Sequence, residues 1–237
     1  MNDVLVLSAP PRPTLAVTNT AARFPVRRVF CIGRNYAAHA KEMGGDPDRE
    51  PPFWFAKPAD ALVDAAIDDL ARIPYPPRTS DFHHEVELAV ALGQGAREIS
   101  PERALELVFG YTVAIDLTRR DLQAQAKKQG RPWTEAKGFD QSAPIAPLRR
   151  ATNIGHPSAG AIWLDVNGQR RQQGDLADMI WSVAEVISTI SHSVAIRAGD
   201  VILTGTPSGV GPLQVGDHVV AGIDGIAELA FDVVEPL

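Results

Sequence analysis

Two glutamates two residues apart, Glu85 and Glu87 in HHEVELAVALG, stand at the start of an otherwise apolar run. On a strand, side chains at i and i+2 share a face, so the two carboxylates can converge on one point. Among 29 acidic residues such a pair also arises on an ordinary half-exposed strand with a solvated face, and the pair alone does not decide. Asp116 in YTVAIDL shares its face with Thr112 and Ala114, opposite Tyr111, Val113, Ile115 and Leu117. Two strands that each reserve one face for small residues and carboxylates can floor a shared pocket. Three carboxylates there repel unless a cation lies among them. An oxygen-only set suits a hard divalent ion, Mg²⁺ or Mn²⁺ with Ca²⁺ able to replace either, better than a structural zinc. His83 has the parity of the two glutamates and reads either as a fourth ligand or as a hydrogen-bonder that steadies the others.

Other candidates surround this set. If Asp116 opens the helix that follows, Arg120 and Gln123 lie at i+4 and i+7 and share its face; the alternative is a plain solvated helix. His39 and Glu42, three apart in NYAAHAKEMGG, form an imidazole–carboxylate pair that can take a proton from water, or a chance pair on a surface helix. Nothing local singles out Lys137 in WTEAKGFD. TGTPSGVG lacks the Gly-Lys-Ser/Thr ending of a nucleotide P-loop, yet its hydroxyls and glycine amides can grip a carboxylate.

The elements that must position these residues are short. Val29 to Ile32 reads as a strand, with Asn35 capping a helical turn that ends at Gly44 and Gly45. PERALELVFG reads as a helix from Pro101 to a stop at Gly110, and TRRDLQAQAKKQG as a helix ending at Gly130. AIWLDVNGQ is a strand entering a hairpin turn. Met179, Ile180, Val183, Val186, Ile187 and Ile190 fall at helical spacing. VILTG, HVVAG and AELAFDVV are strands separated by glycine turns. Strands outnumber helices, which predicts a β-rich α+β fold. Residues 1–25 read as an arm or short strands, and 26–237 as one compact domain.

The chain has 237 residues, a formal net charge of -6 and one cysteine, Cys31. The charge gives no footprint for nucleic acid or an anionic membrane, and a lone cysteine fits a reducing compartment. No run reaches the length of a membrane span, and MNDVLVLSAPPRP is not a leader peptide, so a cytoplasmic protein with a small-molecule partner is expected.

Taken in order, CIGRNYAAHAKEMG, PPFWFAKPADAL, HHEVELAVALG, YTVAIDLTRRDLQ, KKQGRPWTEAKGFDQSAPIAP and GDVILTGTPSGVGPLQVGD resemble the fumarylacetoacetate hydrolase family from about Val26 to the C-terminus. Within it the chain is most similar to bacterial fumarylpyruvate and acylpyruvate hydrolases of gentisate breakdown, and is also similar to oxaloacetate decarboxylases. The resemblance implies a mixed β-sandwich roll with a few packed helices, a homodimer, and Mg²⁺ or Mn²⁺ on Glu85, Glu87 and Asp116. It implies catalytic roles for His39, Glu42, Lys137 and Gln123, and substrate binding by Arg120 and Thr206. The implied reaction cleaves a carbon–carbon bond of a 2-oxo acid of the acylpyruvate type, with decarboxylation of oxaloacetate or a hydratase or isomerase reaction as the alternative. The acidic, alanine-rich FAKPADALVDAAIDDLARIPYP reads as an insert that reshapes the pocket rim.

Overall fold

The computed structural model describes residues 6–8, 10–42 and 51–236, with the side chains of 40–42 excepted. An eight-stranded mixed sheet runs Phe53–Lys57, Arg28–Gly33, Asp200–Leu203, Val86–Leu92, Val108–Ile115, Ala143–Ile145, Leu62–Asp64, with Arg149–Arg150 also paired to Val108–Ile115. A five-stranded sheet runs Gln169–Asp175, Ala161–Val166, His218–Ile223, Ala227–Val234, Ala71–Pro74. Most pairs are antiparallel; Arg28–Gly33 lies parallel to Asp200–Leu203. Helices are few and short among the described residues, and the architecture is the β-rich α+β fold that the strand count predicts, in the rolled form that the resemblance implies.

The two-residue period of Val86–Leu92 decides what lies on each side of the large sheet. Val86, Leu88, Val90 and Leu92 face the five-stranded sheet, where they pack in one core with Ile162, Leu164, Val219, Leu229 and Phe231. Ala89 and Ala91 face the other way, onto Val29, Cys31, Val201 and Leu203, and are covered by Leu15, Val17 and Phe24 of the N-terminal segment. Glu87 has the parity of these alanines. The small-residue face is thus roofed by the N-terminal segment over Ala89 and Ala91, while the carboxylate end opens into a pocket.

Several elements differ from expectation for identifiable reasons. The helix at Pro101 ends at Ala104, and after a 3₁₀ turn a strand begins at Val108, because Val108 pairs with Leu92 and Tyr111 with Arg149. Gly110 is therefore a strand residue: a Cβ there would lie 2.2 Å from the Arg149 carbonyl oxygen. Asp116 does not open a helix. Thr118–Arg119 pairs with Phe82–His84 first, and the helix runs Arg120–Gln129, ending on left-handed Gly130 as expected. The later helix starts at Val183, because Ser182 and Glu185 form a reciprocal capping box there; Met179 and Ile180 precede it. Asn35 is spent on tying loops together: its amide donates to the carbonyls of Trp181 at 3.0 Å and Thr204 at 2.8 Å, and accepts from Trp181 N–H. The expected helix end at Gly44 and Gly45 lies outside the described residues. The stretch read as an insert ends the strand Phe53–Lys57 and adds the strands Leu62–Asp64 and Ala71–Pro74 to the sheets. The hairpin at Asn167 and Gly168 forms as expected, both with positive φ.

Candidate metal centre and active site

Val86 pairs with Ile115 and Glu87 with Ala114, and the Asp116 amide continues this antiparallel ladder to the Glu85 carbonyl. That register is what brings the three acids together. One carboxylate oxygen from each of Glu85, Glu87 and Asp116 lies within 4.8 Å of the others, and all three residues are buried. They line a pocket of about 390 Å³, counting its open mouth, with His39, Arg120, Gln123, Lys137 and Thr206. The structure thus brings together the sequence-derived site residues other than Glu42. That residue lies in the helix Ala37–Glu42, but its side chain is outside the described residues.

The charges are arranged in a ring. Lys137 Nζ sits 2.8 Å from Glu85 Oε2 and 2.7 Å from Asp116 Oδ2. Arg120 Nη2 donates to Glu85 Oε1 at 2.5 Å, while its Nη1 donates to Gln123 Oε1 at 2.6 Å. Burial pushes the Glu85 carboxyl up, but Lys137 and Arg120 outweigh it and hold the group well below the usual carboxylate range. For Lys137 the same balance holds: burial disfavours its charge, and Asp116 and Glu85 more than restore it. Glu87 is different. Burial, Asp116 and Glu85 all push its carboxyl up, and its hydrogen bond from the Gly205 amide, 2.6 Å, does not offset them.

Three features fit a hard divalent ion among these acids. The donors are all carboxylate oxygens, the set that Mg²⁺ and Mn²⁺ prefer. Burial, Asp116 and Glu85 disfavour the charged form of Glu87, and the protein's own cations do not offset them. Asp116 Oδ1, although 2.9 Å from Lys57 Nζ, has no well-aligned hydrogen-bond donor, because the Lys57 ammonium donates to the carbonyls of Leu117 and Lys137 instead. A cation supplies what both groups lack.

The glycine turn anticipated as an anion grip holds one of the protein's own carboxylates. Gly205 has φ +97°, and a Cβ there would lie 2.7 Å from Asn35 Cβ, so only glycine lets the amide reach Glu87. Next to it, buried Thr206 accepts from Gln172 Nε2 at 2.8 Å, and Gln172 Oε1 accepts from His84 Nδ1 at 2.8 Å and Val86 N–H at 3.1 Å. Burial pulls His84 down to about 4, so the ring is neutral near pH 7. His83 stands outside the carboxylate group. Its Nε2 meets Asp81 at 2.7 Å and its Nδ1 lies 3.5 Å from Arg120 Nε, so it steadies the arginine. His39 is buried on the pocket wall, close enough to help hold Glu85 ionised.

Sequence reasoning missed Lys57, which pairs with Asp116 from behind the pocket lining, and the lining residues Arg34, Lys127, Phe53, Phe55 and Trp133. A signal for Lys57 was present: Phe53, Phe55 and Lys57 share one parity of a strand that runs from exposed Phe53 to buried Lys57, and a lysine on an aromatic face that goes into the core needs an anion to meet. Cys31 is fully buried with its thiol pushed up by burial and Asp116, an inert core residue.

Among the described residues no helix is long and apolar enough to cross a membrane. The fold has close parallels. A fumarylpyruvate hydrolase from Pseudomonas aeruginosa, solved in complex with Mn²⁺ and pyruvate, is 50% identical with a TM-score of 0.95, covering 97% of this chain and 99% of that one. A candidate fumarylpyruvate hydrolase from Burkholderia cenocepacia is 57% identical, TM-score 0.92, covering 99% of this chain and 100% of its own. A mitochondrial oxaloacetate tautomerase from Arabidopsis thaliana is 45% identical over 213 residues, 89% of this chain and 93% of the relative. The profile described as fumarylacetoacetate hydrolase C-terminal matches residues 28–234, and the chain belongs to the fumarylacetoacetate hydrolase family.

Proposed function

We propose that the protein is a Mg²⁺- or Mn²⁺-dependent hydrolase that cleaves the carbon–carbon bond of a fumarylpyruvate-like acylpyruvate, giving pyruvate and fumarate. The observation that carries this reading is the half-identical Pseudomonas aeruginosa hydrolase, with its Mn²⁺ and pyruvate, superposing over almost the whole chain. Glu85, Glu87 and Asp116 would hold the ion, which when bound polarises a substrate carbonyl as a Lewis acid.

The chain's own groups supply the rest. Arg120 and Thr206 bind the 2-oxo acid carboxylate, the guanidinium being steadied by His83 and Gln123. His39 removes a proton from water, with Glu42 as the carboxylate that orients its ring. The hydroxide adds to the acyl carbonyl carbon, and Lys137 and Gln123 donate to the oxyanion that forms. Gln123 Oε1 is engaged by Arg120, which leaves its amide N–H groups for this task. The carbon–carbon bond then breaks, its electron pair passes to the pyruvate fragment as an enolate, and the proton held on His39 completes pyruvate. Burial of His39, Gln123 and Lys137 limits the exchange of this proton with bulk water. On the same reading the protein is a homodimer, as the family resemblance implies; light scattering of the purified protein tests the assembly.

One observation favours a second reading. The Arabidopsis relative is an oxaloacetate tautomerase, and keto–enol exchange needs the same carboxylate grip and proton carrier without attack by water. His39→Ala separates the roles: hydrolysis of fumarylpyruvate should stop while Mn²⁺ affinity, measured by calorimetry, stays within about two-fold, since His39 is not among the carboxylate ligands. An unchanged hydrolysis rate would remove His39 from the mechanism. Wild-type protein that accelerates oxaloacetate keto–enol exchange but leaves fumarylpyruvate intact would establish the second reading.

A further inference from the structure

The mouth of the pocket carries two cations that the proposed mechanism does not use. Arg34 follows Gly33 at the end of the strand Arg28–Gly33 and holds a left-handed backbone, φ 57°, a conformation uncommon for a residue with a side chain. Its guanidinium lies 5.9 Å from the centroid of Phe53. Phe53 meets Trp133 edge-on at 5.6 Å, and Lys127 Nζ lies 5.2 Å from the Trp133 centroid. Cation, ring, ring and cation thus follow one another along one wall of the cavity that holds the carboxylate trio, and all four residues line it. A Cβ on Gly33 would come within 2.1 Å of Phe53 Cζ, so the glycine leaves room for the tip of that ring beside Arg34.

These two cations differ from the others in the site. Lys137 and Arg120 are neutralised by Glu85 and Asp116, and Lys57 by Asp116. Arg34 and Lys127 rest on ring faces and pair with no carboxylate among the described residues. Burial, Arg120 and Arg34 together bring Lys127 down to about 8, the behaviour of an ammonium held in a positive, partly dry place with no anion of its own. Such a place attracts a carboxylate, and a planar unsaturated chain ending in one can lie against Phe53, Phe55 and Trp133 on the way.

We infer that Arg34 and Lys127, mounted on Phe53 and Trp133, form a second anion subsite that binds the distal carboxylate of a dicarboxylic substrate whose 2-oxo acid end occupies the metal centre. The inference rests on the proposed acylpyruvate reading and adds to it the residues that make a dicarboxylic, unsaturated acylpyruvate preferred over a monocarboxylic one with the same chelating head.

The test compares fumarylpyruvate with acetylpyruvate, which keeps the 2,4-dioxo acid head and lacks the distal carboxylate. Binding is measured by calorimetry on the Mn²⁺-loaded His39→Ala protein, and kcat/KM on the Mn²⁺-loaded protein with His39 intact. Lys127→Met and Arg34→Met should each weaken fumarylpyruvate about 10- to 100-fold, the loss of one charge-assisted hydrogen bond, and leave acetylpyruvate within about two-fold. Lys127→Arg should recover most of the loss. Equal losses on both substrates, or none on either, would overturn the subsite. If fumarylpyruvate binds with this charge dependence but is not cleaved, the subsite stands and the hydrolase reading falls; if it is cleaved with no such dependence, the reverse holds.

Discussion

Lys57 gives the sharpest test of how the carboxylate centre is balanced. Its ammonium is buried, 2.9 Å from Asp116 Oδ1, donates to the carbonyls of Leu117 and Lys137, and lies 5.4 Å from the Phe139 centroid. Lys57→Met keeps the apolar stem and removes the charge. Breaking a buried ion pair from one side costs about 3–5 kcal/mol. Asp116 keeps Lys137 at 2.7 Å, which places the expected loss at the lower end, about 3 kcal/mol. In a chain of this size that corresponds to a fall in Tm of roughly 6–12 °C in chelator. The variant leaves Asp116 less neutralised, so a divalent ion bound beside it should compensate. Saturating Mn²⁺ should therefore raise the variant's Tm by more than it raises the wild type's. Thermal unfolding followed by circular dichroism, with chelator and with Mn²⁺, reads both quantities. A loss below about 1 kcal/mol would show that Lys57 is not a structural counter-charge. A Mn²⁺ increment no larger than the wild type's would refute the view that metal and lysine act on the same carboxylate.

Two further outcomes are expected. Asp200 is a buried carboxylate that accepts from Arg27 at 3.1 Å, Arg28 at 3.0 Å and the Arg197 amide at 2.9 Å, and it does not line the pocket. Because both arginines are about one-third exposed, Asp200→Asn should cost only about 2 kcal/mol, and Mn²⁺ should leave that deficit unchanged in the same melts. Lys127, lowered to about 8, is charged below that pH and neutral above it, so kcat/KM for fumarylpyruvate should fall as pH rises through about 8. The fall should be absent for acetylpyruvate and shifted upward in Lys127→Arg; a shared inflection for both substrates would assign it to another group.

The legible part of the site was the part written in strand parity. Glu85, Glu87 and Asp116 could be placed on one floor because an antiparallel ladder fixes which side chains share a face, and the ladder from Val86–Ile115 to Glu85–Asp116 keeps that register. The convergence of Arg120 and Gln123 was anticipated for the wrong geometric reason. No helix joins them to Asp116; the short pairing of Thr118–Arg119 with Phe82–His84 turns the chain so that the helix from Arg120 starts beside Glu85. Lys57 was hidden because its partner lies 59 residues away and depends on the Phe53–Lys57 strand pairing at the far side of Arg28–Gly33. Gly110 looked like a helix stop because the close approach of the Arg149 carbonyl is a tertiary fact. Asn35 looked like a cap because its real partners, Trp181 and Thr204, are 146 and 169 residues distant. Local propensity reads what neighbours in sequence decide; these residues answer to neighbours in space.

The central claim is that the three-carboxylate floor, once loaded with a divalent ion, cleaves an acylpyruvate. It is tested most directly by incubating the purified protein with fumarylpyruvate, maleylpyruvate, acetylpyruvate or oxaloacetate, in chelator and after addition of Mn²⁺ or Mg²⁺, and identifying the products. The expected result is metal-dependent loss of the enol-diketone absorbance of fumarylpyruvate with equimolar pyruvate and fumarate, abolished by chelator and by Glu85→Gln. Turnover that persists in chelator or in Glu85→Gln, or conversion of oxaloacetate alone, would contradict it.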